Sequence, residues 1–439
     1  MNKNLLNFSV AMFARIAGSG SHYITNILIA KMLLPSDAGI LFIGISITLI
    51  GSTVVRLGLD NFLLKRISIL SNGNSWQLAN KLIKKCIIIS AITGVAFVVI
   101  LTSLNYLPIN QLNFLDKGKE EISIMVFSIP FFAVFMLMSA CFKAIEKANI
   151  GTLFESASWP GMFCLSVTSL YLLSILNTKY LSYCFLLNSI IISAFSLFLW
   201  LKVTKHRTNL SELIPVESGR TILLTSWPMM GVAVFYVLIR WSDALWVGYF
   251  LAESDVAVYT VASRTAGITA FFSAAVTAII APKYAIAYSQ SDFDRVYRIF
   301  TRSVYLLTSL LAPIVFFLFI YSDRVMMFFS ADYVIGKSTF KISLVLQFVY
   351  AITIPIGYMV LMINMEKLYF KLMFISLVLS QTMFFLFTPN FGIEGAAWAS
   401  GIAPIILNFA LIIIATNRIK RKKKSNTKDA PSLNHNTPA

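Results

Sequence analysis

The chain is poor in charge. Only 13% of its 439 residues are Asp, Glu, Lys or Arg, against roughly 25% in soluble domains. No polar stretch is long enough to form a soluble domain of useful size. There is no GxxxxGK[ST] phosphate loop, so nucleotide hydrolysis by this chain is not expected. The three histidines, His22, His206 and His435, lie far apart, with no HExxH and no metal-ligand spacing, so neither a metal nor another cofactor is expected. The four cysteines, Cys86, Cys141, Cys164 and Cys184, fall in apolar stretches without a CxxC. They read as small buried hydrophobes rather than a disulfide frame. No GxSxG elbow occurs. The longest outer connections, Asn105–Glu121 and Ser322–Thr339, are too short for the charged loop expected of a membrane glycosyltransferase or polymerase. An enzyme is therefore the weaker class.

What the chain has is hydrophobicity: 58% apolar residues and a mean hydropathy of +0.78. At roughly 20 residues per span, this length accommodates about a dozen transmembrane helices. Twelve are expected: Phe8–Leu34, Gly39–Leu64, Leu82–Leu104, Ile122–Phe142, Ile150–Leu176, Tyr180–Leu201, a seventh and eighth from Ser226 to about Tyr288, then Ile299–Tyr321, Phe340–Ile363, Tyr369–Thr388 and Gly392–Thr416. The chain so divides into a six-helix lobe over 1–201, a connection over 202–220, a second six-helix lobe over 221–417, and a basic tail over 418–439 that is expected to be disordered beyond its start. The N-terminus has no small-residue cleavage site and reads as a retained first span.

Lysine and arginine set the orientation. The loops on one face, with the tail, hold 24 of them and the loops on the other hold five. The rich face belongs in the cytoplasm, which places both termini there and agrees with an even number of spans. The net charge of +17 thus reads as a topology signal and as contact with anionic membrane lipids, not as nucleic-acid binding.

Charges inside the apolar runs are the candidate site. An ionised group in hydrocarbon costs several kcal/mol on most estimates, so such residues line a wet cavity or pair with one another. Arg15, His22 and Asn26 share one stripe of the first span, around a Gly18-Ser19-Gly20-Ser21 break. Arg56 and Asp60 are four apart in the second span, within pairing reach. Arg240 and Asp243 are three apart in the seventh, and Tyr259 and Arg264 lie in the eighth. Arg264 has no acidic neighbour one turn away, so it is the strongest candidate for contact with an anionic cargo. Arg15, Arg56, Arg240, His22 and Tyr259 are further candidates, and either arginine of the two pairs has a structural role as its alternative. Asp243, Asp60 and Asp37 are candidates for ion coupling or gating, Asp37 also as a plain turn residue. Arginine suits a phosphate cargo because it stays charged and offers a bidentate fork.

A faint repeat links the halves. Ser36-Asp37 follows the first span and Ser254-Asp255 follows the seventh, both outside, as in a parallel duplication. With it come the stretches LLPSDAGILFIGISI, VVRLGLDNFLLKRIS, RWSDALWVGYFLAESDVAVYTVASR and FGIEGAAWASGI. In these the chain resembles the multidrug/oligosaccharidyl-lipid/polysaccharide (MOP) exporter superfamily, and within it the bacterial O-antigen translocases called Wzx. The resemblance implies an all-α, MATE-like integral membrane protein with two six-helix lobes around a central cavity. It implies movement of an undecaprenyl-diphosphate-linked oligosaccharide from the cytoplasmic to the periplasmic leaflet of the inner membrane, by alternating access without ATP. A polysaccharide polymerase and a chain-length regulator are the protein partners it implies. Cavity arginines of the related lipid II flippases match Arg15, Arg56 and Arg264 by span and type. The chain departs from those flippases in lacking their last two spans. A drug/ion antiporter of the same superfamily and a polysaccharide polymerase or ligase are the alternatives.

Overall fold

The computed structural model describes residues 3–73, 75–104, 118–205, 218–363 and 365–428. Within them the chain is all helix, 91% with no strand. His206, His435 and most of the connection at 202–220 lie outside the described residues. So do residues 429–439 of the tail.

Helices lie along the stretches expected to span, several of them broken beside their charges. Helix α1 covers Lys3–Met32 and α2 covers Pro35–Val55. Pro35 starts α2, where its missing N–H costs nothing. Helix α2 stops at Arg56 because Leu57 and Gly58 both adopt positive φ, 51° and 73°. Helix α3 (Leu59–Asn72) then resumes. Next come α4 (Trp76–Leu104), α5 (Lys119–Val126), α6 (Ile129–Ala144) and α7 (Ala148–Thr152). A π-helical segment, Leu153–Ser158, joins α7 to α8 (Trp159–Leu172), and α9 (Thr178–Thr204) follows.

The stretch from Ser226 to about Tyr288 is not two continuous spans. It forms α10 (Gly219–Trp241), α11 (Asp243–Phe250), α12 (Glu253–Ala266) and α13 (Thr269–Ser289). Breaks fall at Ser242 and Gly267, directly beside Asp243 and Arg264. The chain continues through α14 (Phe293–Ile320), α15 (Ser322–Met327), a 3-10 turn at Ala331–Gly336, α16 (Lys337–Thr353), α17 (Pro355–Met362) and α18 (Glu366–Lys428). Helix α18 merges the eleventh and twelfth expected spans, with a kink at Gly392, whose φ is 59°. Helix α18 carries on through the start of the tail to Lys428.

Among the described residues, by length and apolarity alone, eight helices qualify as membrane spans, or nine with α10 counted across its bend. The chain is a multi-pass membrane protein. Helices α2 and α5–α6 are the most enclosed, with 78% of their apolar windows buried, whereas α4 and α14 are 22% buried and face outward. That gradient is expected where lipid and not water covers the periphery.

The most extensive helix pair is α2 with α12, one from each half of the chain. Their starts touch closely: a Cβ on Gly39 would lie 1.8 Å from the carbonyl oxygen of Glu253. Helix α1 lies against the π segment in the same manner, with Gly18 over the Ser156 carbonyl. Small residues let helix backbones meet where no hydrophobic effect drives them together.

Candidate functional site

The two breaks at Ser242 and Gly267 bring the charges of the second half together. Arg264 ends α12, and its Nη2 lies 3.2 Å from Asp243 Oδ1. Its Nη1 donates to the Arg240 carbonyl at 3.3 Å. The guanidinium sits over the Trp241 ring, 4.3 Å from its centroid, a cation–π contact that strengthens on desolvation. Nε is buried with no hydrogen-bond partner among the described residues.

Asp243 is the first residue of α11 and is held from three sides. Its Oδ1 accepts from the Ala244 amide at 2.9 Å, and Oδ2 accepts from the Tyr259 hydroxyl at 3.4 Å. The helix N-terminus favours its negative charge. Gln381 of α18 braces the break, donating to Ser242 Oγ at 3.1 Å and accepting from the Trp246 indole at 2.7 Å.

This arrangement corrects the local pairing. Arg240 and Asp243 are three apart in sequence, yet Asp243 pairs with Arg264, and Arg240 is exposed with no ion pair among the described residues. Asp243 Oδ1 is taken by the Arg264 guanidinium and the Ala244 amide, while the Arg240 side chain is exposed. Arg264, expected to lack a carboxylate, has one from the neighbouring helix.

Helix α1 closes the cluster from the first half. The His22 ring stacks on Trp241 at 5.9 Å and meets Trp159 edge-on at 6.2 Å. The Tyr23 hydroxyl contacts the Arg264 carbonyl and donates to that of Thr265 at 2.6 Å. Where α12 stops, these carbonyls keep only i+3 backbone donors, Gly267 N to Arg264 O at 3.2 Å and Ile268 N to Thr265 O at 3.3 Å, and the Tyr23 hydroxyl adds a further donor that caps the break beside Arg264. Arg15, two turns before His22 on the same face, is exposed and without an ion pair among the described residues.

The first half treats its break differently. Arg56 is 3.3 Å from Asp60. Its Nε donates to the Ser52 carbonyl at 3.1 Å and its Nη2 to Thr53 Oγ1 at 3.0 Å. The guanidinium is used within its own α2–α3 segment. Asp37 lies apart from both clusters, half-buried in the first turn of α2, near the Gly39–Glu253 contact.

The structure therefore gathers Arg264, Asp243, Tyr259 and His22, with the Arg240 backbone. Arg56–Asp60 forms a separate pair, and Asp37 sits at one end of α2. Sequence reasoning missed Tyr23, Trp241, Trp159 and Gln381. Uncharged groups carry no desolvation signal, although Tyr23 adjoins His22 and Trp241 adjoins Arg240, both already candidates. No cluster of His, Cys, Asp and Glu among the described residues is arranged to hold a metal ion.

These features have relatives. Residues 5–283, more than half of the chain, match the family model described as polysaccharide biosynthesis protein, and the chain belongs to that family. A second family model, MatE, matches residues 228–387. A probable low-salt glycan biosynthesis flippase of Haloferax volcanii, Agl15, is 27% identical over 164 residues, 37% of this chain and 35% of that protein. The match thus spans about a third of the relative's length.

Among solved structures, a multidrug resistance MATE family transporter of the MOP superfamily, in its inward-facing conformation, superposes with a TM-score of 0.70 at 15% identity, over 96% of this chain and 99% of that one. The lipid II flippase MurJ, inward closed, gives 0.66 at 16% identity over 94% and 87%. A MOP superfamily transporter from Pyrococcus furiosus gives 0.63 at 15% over 96% of each. The fold is that of MOP-superfamily transporters.

Proposed function

We propose that this protein flips a lipid-linked oligosaccharide, carried on a polyprenyl diphosphate such as undecaprenyl diphosphate, from the cytoplasmic to the outer leaflet without hydrolysing ATP. An O-antigen or related surface-polysaccharide unit in a bacterial inner membrane is the cargo this reading favours. The observation that carries it, beside family membership, is the Arg264 cluster: a guanidinium held at a helix break, with exposed Arg240 on the preceding helix and exposed Arg15 two turns before His22 on α1. Taking a diphosphate through hydrocarbon unaided carries a prohibitive charge penalty, and fixed cations lower it.

The proposed topology has twelve spans in two six-helix lobes, 1–201 and 221–417, with both termini cytoplasmic. The nine qualifying spans become twelve when α18 is divided at Gly392 and α1 and the α7–α8 helix are added. Close packing at the starts of α2 and α12 supports a state shut at the outer end. Asp37 lies at that outer gate.

The mechanism follows from the pairing. A cargo phosphate that takes Arg264 displaces Asp243, and the freed carboxylate then holds a proton or a sodium ion. Cargo and cation binding are thereby linked, and each shifts the inward–outward balance only by its differential affinity for the two states. Asp60 is engaged by Arg56 and is less suited to this role. A polymerase and a chain-length regulator remain proposed partners in consuming the flipped product.

The MatE match over 228–387 favours one second reading, a drug/ion antiporter. A cationic drug requires a free carboxylate, and Asp243 is the carboxylate at the site. In proteoliposomes, the flippase reading expects an undecaprenyl-diphosphate-linked oligosaccharide to become protected from added glycosidase. Failure of protection, with proton-coupled efflux of an organic cation instead, would replace it with the antiporter.

A further inference from the structure

A second cationic site lies outside the cluster just described. The ends of α13 and α14 enclose a groove of about 490 Å³. Its apolar wall is formed by Val276, Ile280 and Ile299, and its rim by Lys283, Arg295, Arg298 and Arg302. The three arginines fall at i, i+3 and i+7 of α14, so they share one stripe. All four cations are exposed. Lys283, Arg298 and Arg302 have no carboxylate partner among the described residues, and Arg295 reaches only Gln290 Oε1, at 3.3 Å.

The stripe does not continue into water. Beyond Arg302 it becomes Leu306 and Leu310, which are 53% and 42% exposed, with Tyr305 beside them at 78%. Helix α14 is also among the least enclosed spans. Arg302 lies nine residues into a 28-residue helix, about 13 Å from its start. The 18 residues after it span about 27 Å, close to the thickness of the hydrocarbon core. Arg302 therefore sits where headgroups meet acyl chains, with the other three cations on the polar side of that boundary.

A soluble anion would need the cations but not the apolar continuation. A lipid phosphate needs both, with its phosphate in the rim and its chains along Leu306 and Leu310. We infer that the α13–α14 groove binds the phosphate of a long-chain lipid in the cytoplasmic leaflet. Two sources share this chemistry: the polyprenyl carrier, for which the groove is a waiting site before the central cavity, and the anionic phospholipid of the surrounding bilayer. The first rests on the flippase reading and the second does not.

The test uses the full chain in phosphatidylcholine nanodiscs, titrated with undecaprenyl phosphate or with phosphatidylglycerol, with bound lipid counted by native mass spectrometry. The double variant R298Q/R302Q is expected to weaken retention of at least one of these lipids by about tenfold or more, and R298K/R302K to restore most of it. Loss confined to the prenyl phosphate assigns the groove to the cargo carrier; loss confined to phosphatidylglycerol assigns it to bilayer lipid. Equal retention of both lipids by wild type and R298Q/R302Q overturns the site. Displacement by inorganic phosphate at the same concentration as the lipid also overturns it. The measurement counts bound lipid and not transport, so its failure leaves the flippase reading untouched.

Discussion

The two halves of the chain each break a membrane helix next to an arginine, and they neutralise that arginine in opposite ways. In the first half, Arg56 bonds to Asp60, Ser52 and Thr53, all within one turn or so of itself. In the second half, Arg264 draws on Asp243, Trp241 and the Arg240 carbonyl across a helix boundary, and α1 covers it with His22 and Tyr23. A local pair moves as one body with its helix. A pair made between helices comes apart when those helices shift, so the second break is the one suited to exchange a carboxylate for a cargo phosphate.

The largest effect is expected from Asp243→Ala. It leaves Arg264 largely enclosed and without a counter-charge, which costs about 3 kcal/mol. Thermal unfolding in detergent should show a clear loss, and Asp60→Ala a loss below about 1 kcal/mol, because Arg56 keeps its hydrogen bonds to Ser52 and Thr53 and Asp60 is the more exposed of the two carboxylates. Equal losses would erase the distinction between the halves. Next, Gly39→Val forces a side chain against the Glu253 carbonyl where α2 meets α12, at a cost of about 1–3 kcal/mol. Cysteine labelling near Asp37 should then become easier from outside if that contact is the outer gate, and unchanged labelling would remove it from the account. Tyr23→Phe strips the cap from the end of α12, at about 1 kcal/mol. Its stability loss should shrink in an Arg264→Gln background only if the cap and the arginine act together. The smallest effect, within about 0.5 kcal/mol, is expected for Arg240→Gln, whose exposed side chain holds no ion pair among the described residues.

Composition made the membrane class legible, and the charged residues inside apolar runs marked side chains that the fold partly gathers. Arg264, Asp243, Tyr259 and His22 do converge. What stayed hidden was the partner of each charge. Hydropathy reports how apolar a window is and says little about where its helix stops, so Arg240–Asp243 looked like an i, i+3 pair although Ser242 divides it. Arg56–Asp60 was legible because both lie within four residues around one break. Arg295, Arg298 and Arg302 of the groove were counted only as topology charge, and Lys283, inside an expected span, was not singled out, since loop arginines carry the same sequence signal whether they bind lipid or merely face it.

The central claim is that Arg264, and not Arg56, exchanges its carboxylate for the cargo. The direct test is the initial rate of glycosidase protection of an undecaprenyl-diphosphate-linked oligosaccharide in proteoliposomes, normalised to inserted protein. Arg264→Gln is expected to lower that rate by about tenfold or more, the scale of a lost charged hydrogen bond, and Arg56→Gln to stay within about threefold of wild type. Wild-type transport by Arg264→Gln, or an equal loss in both variants, would contradict it.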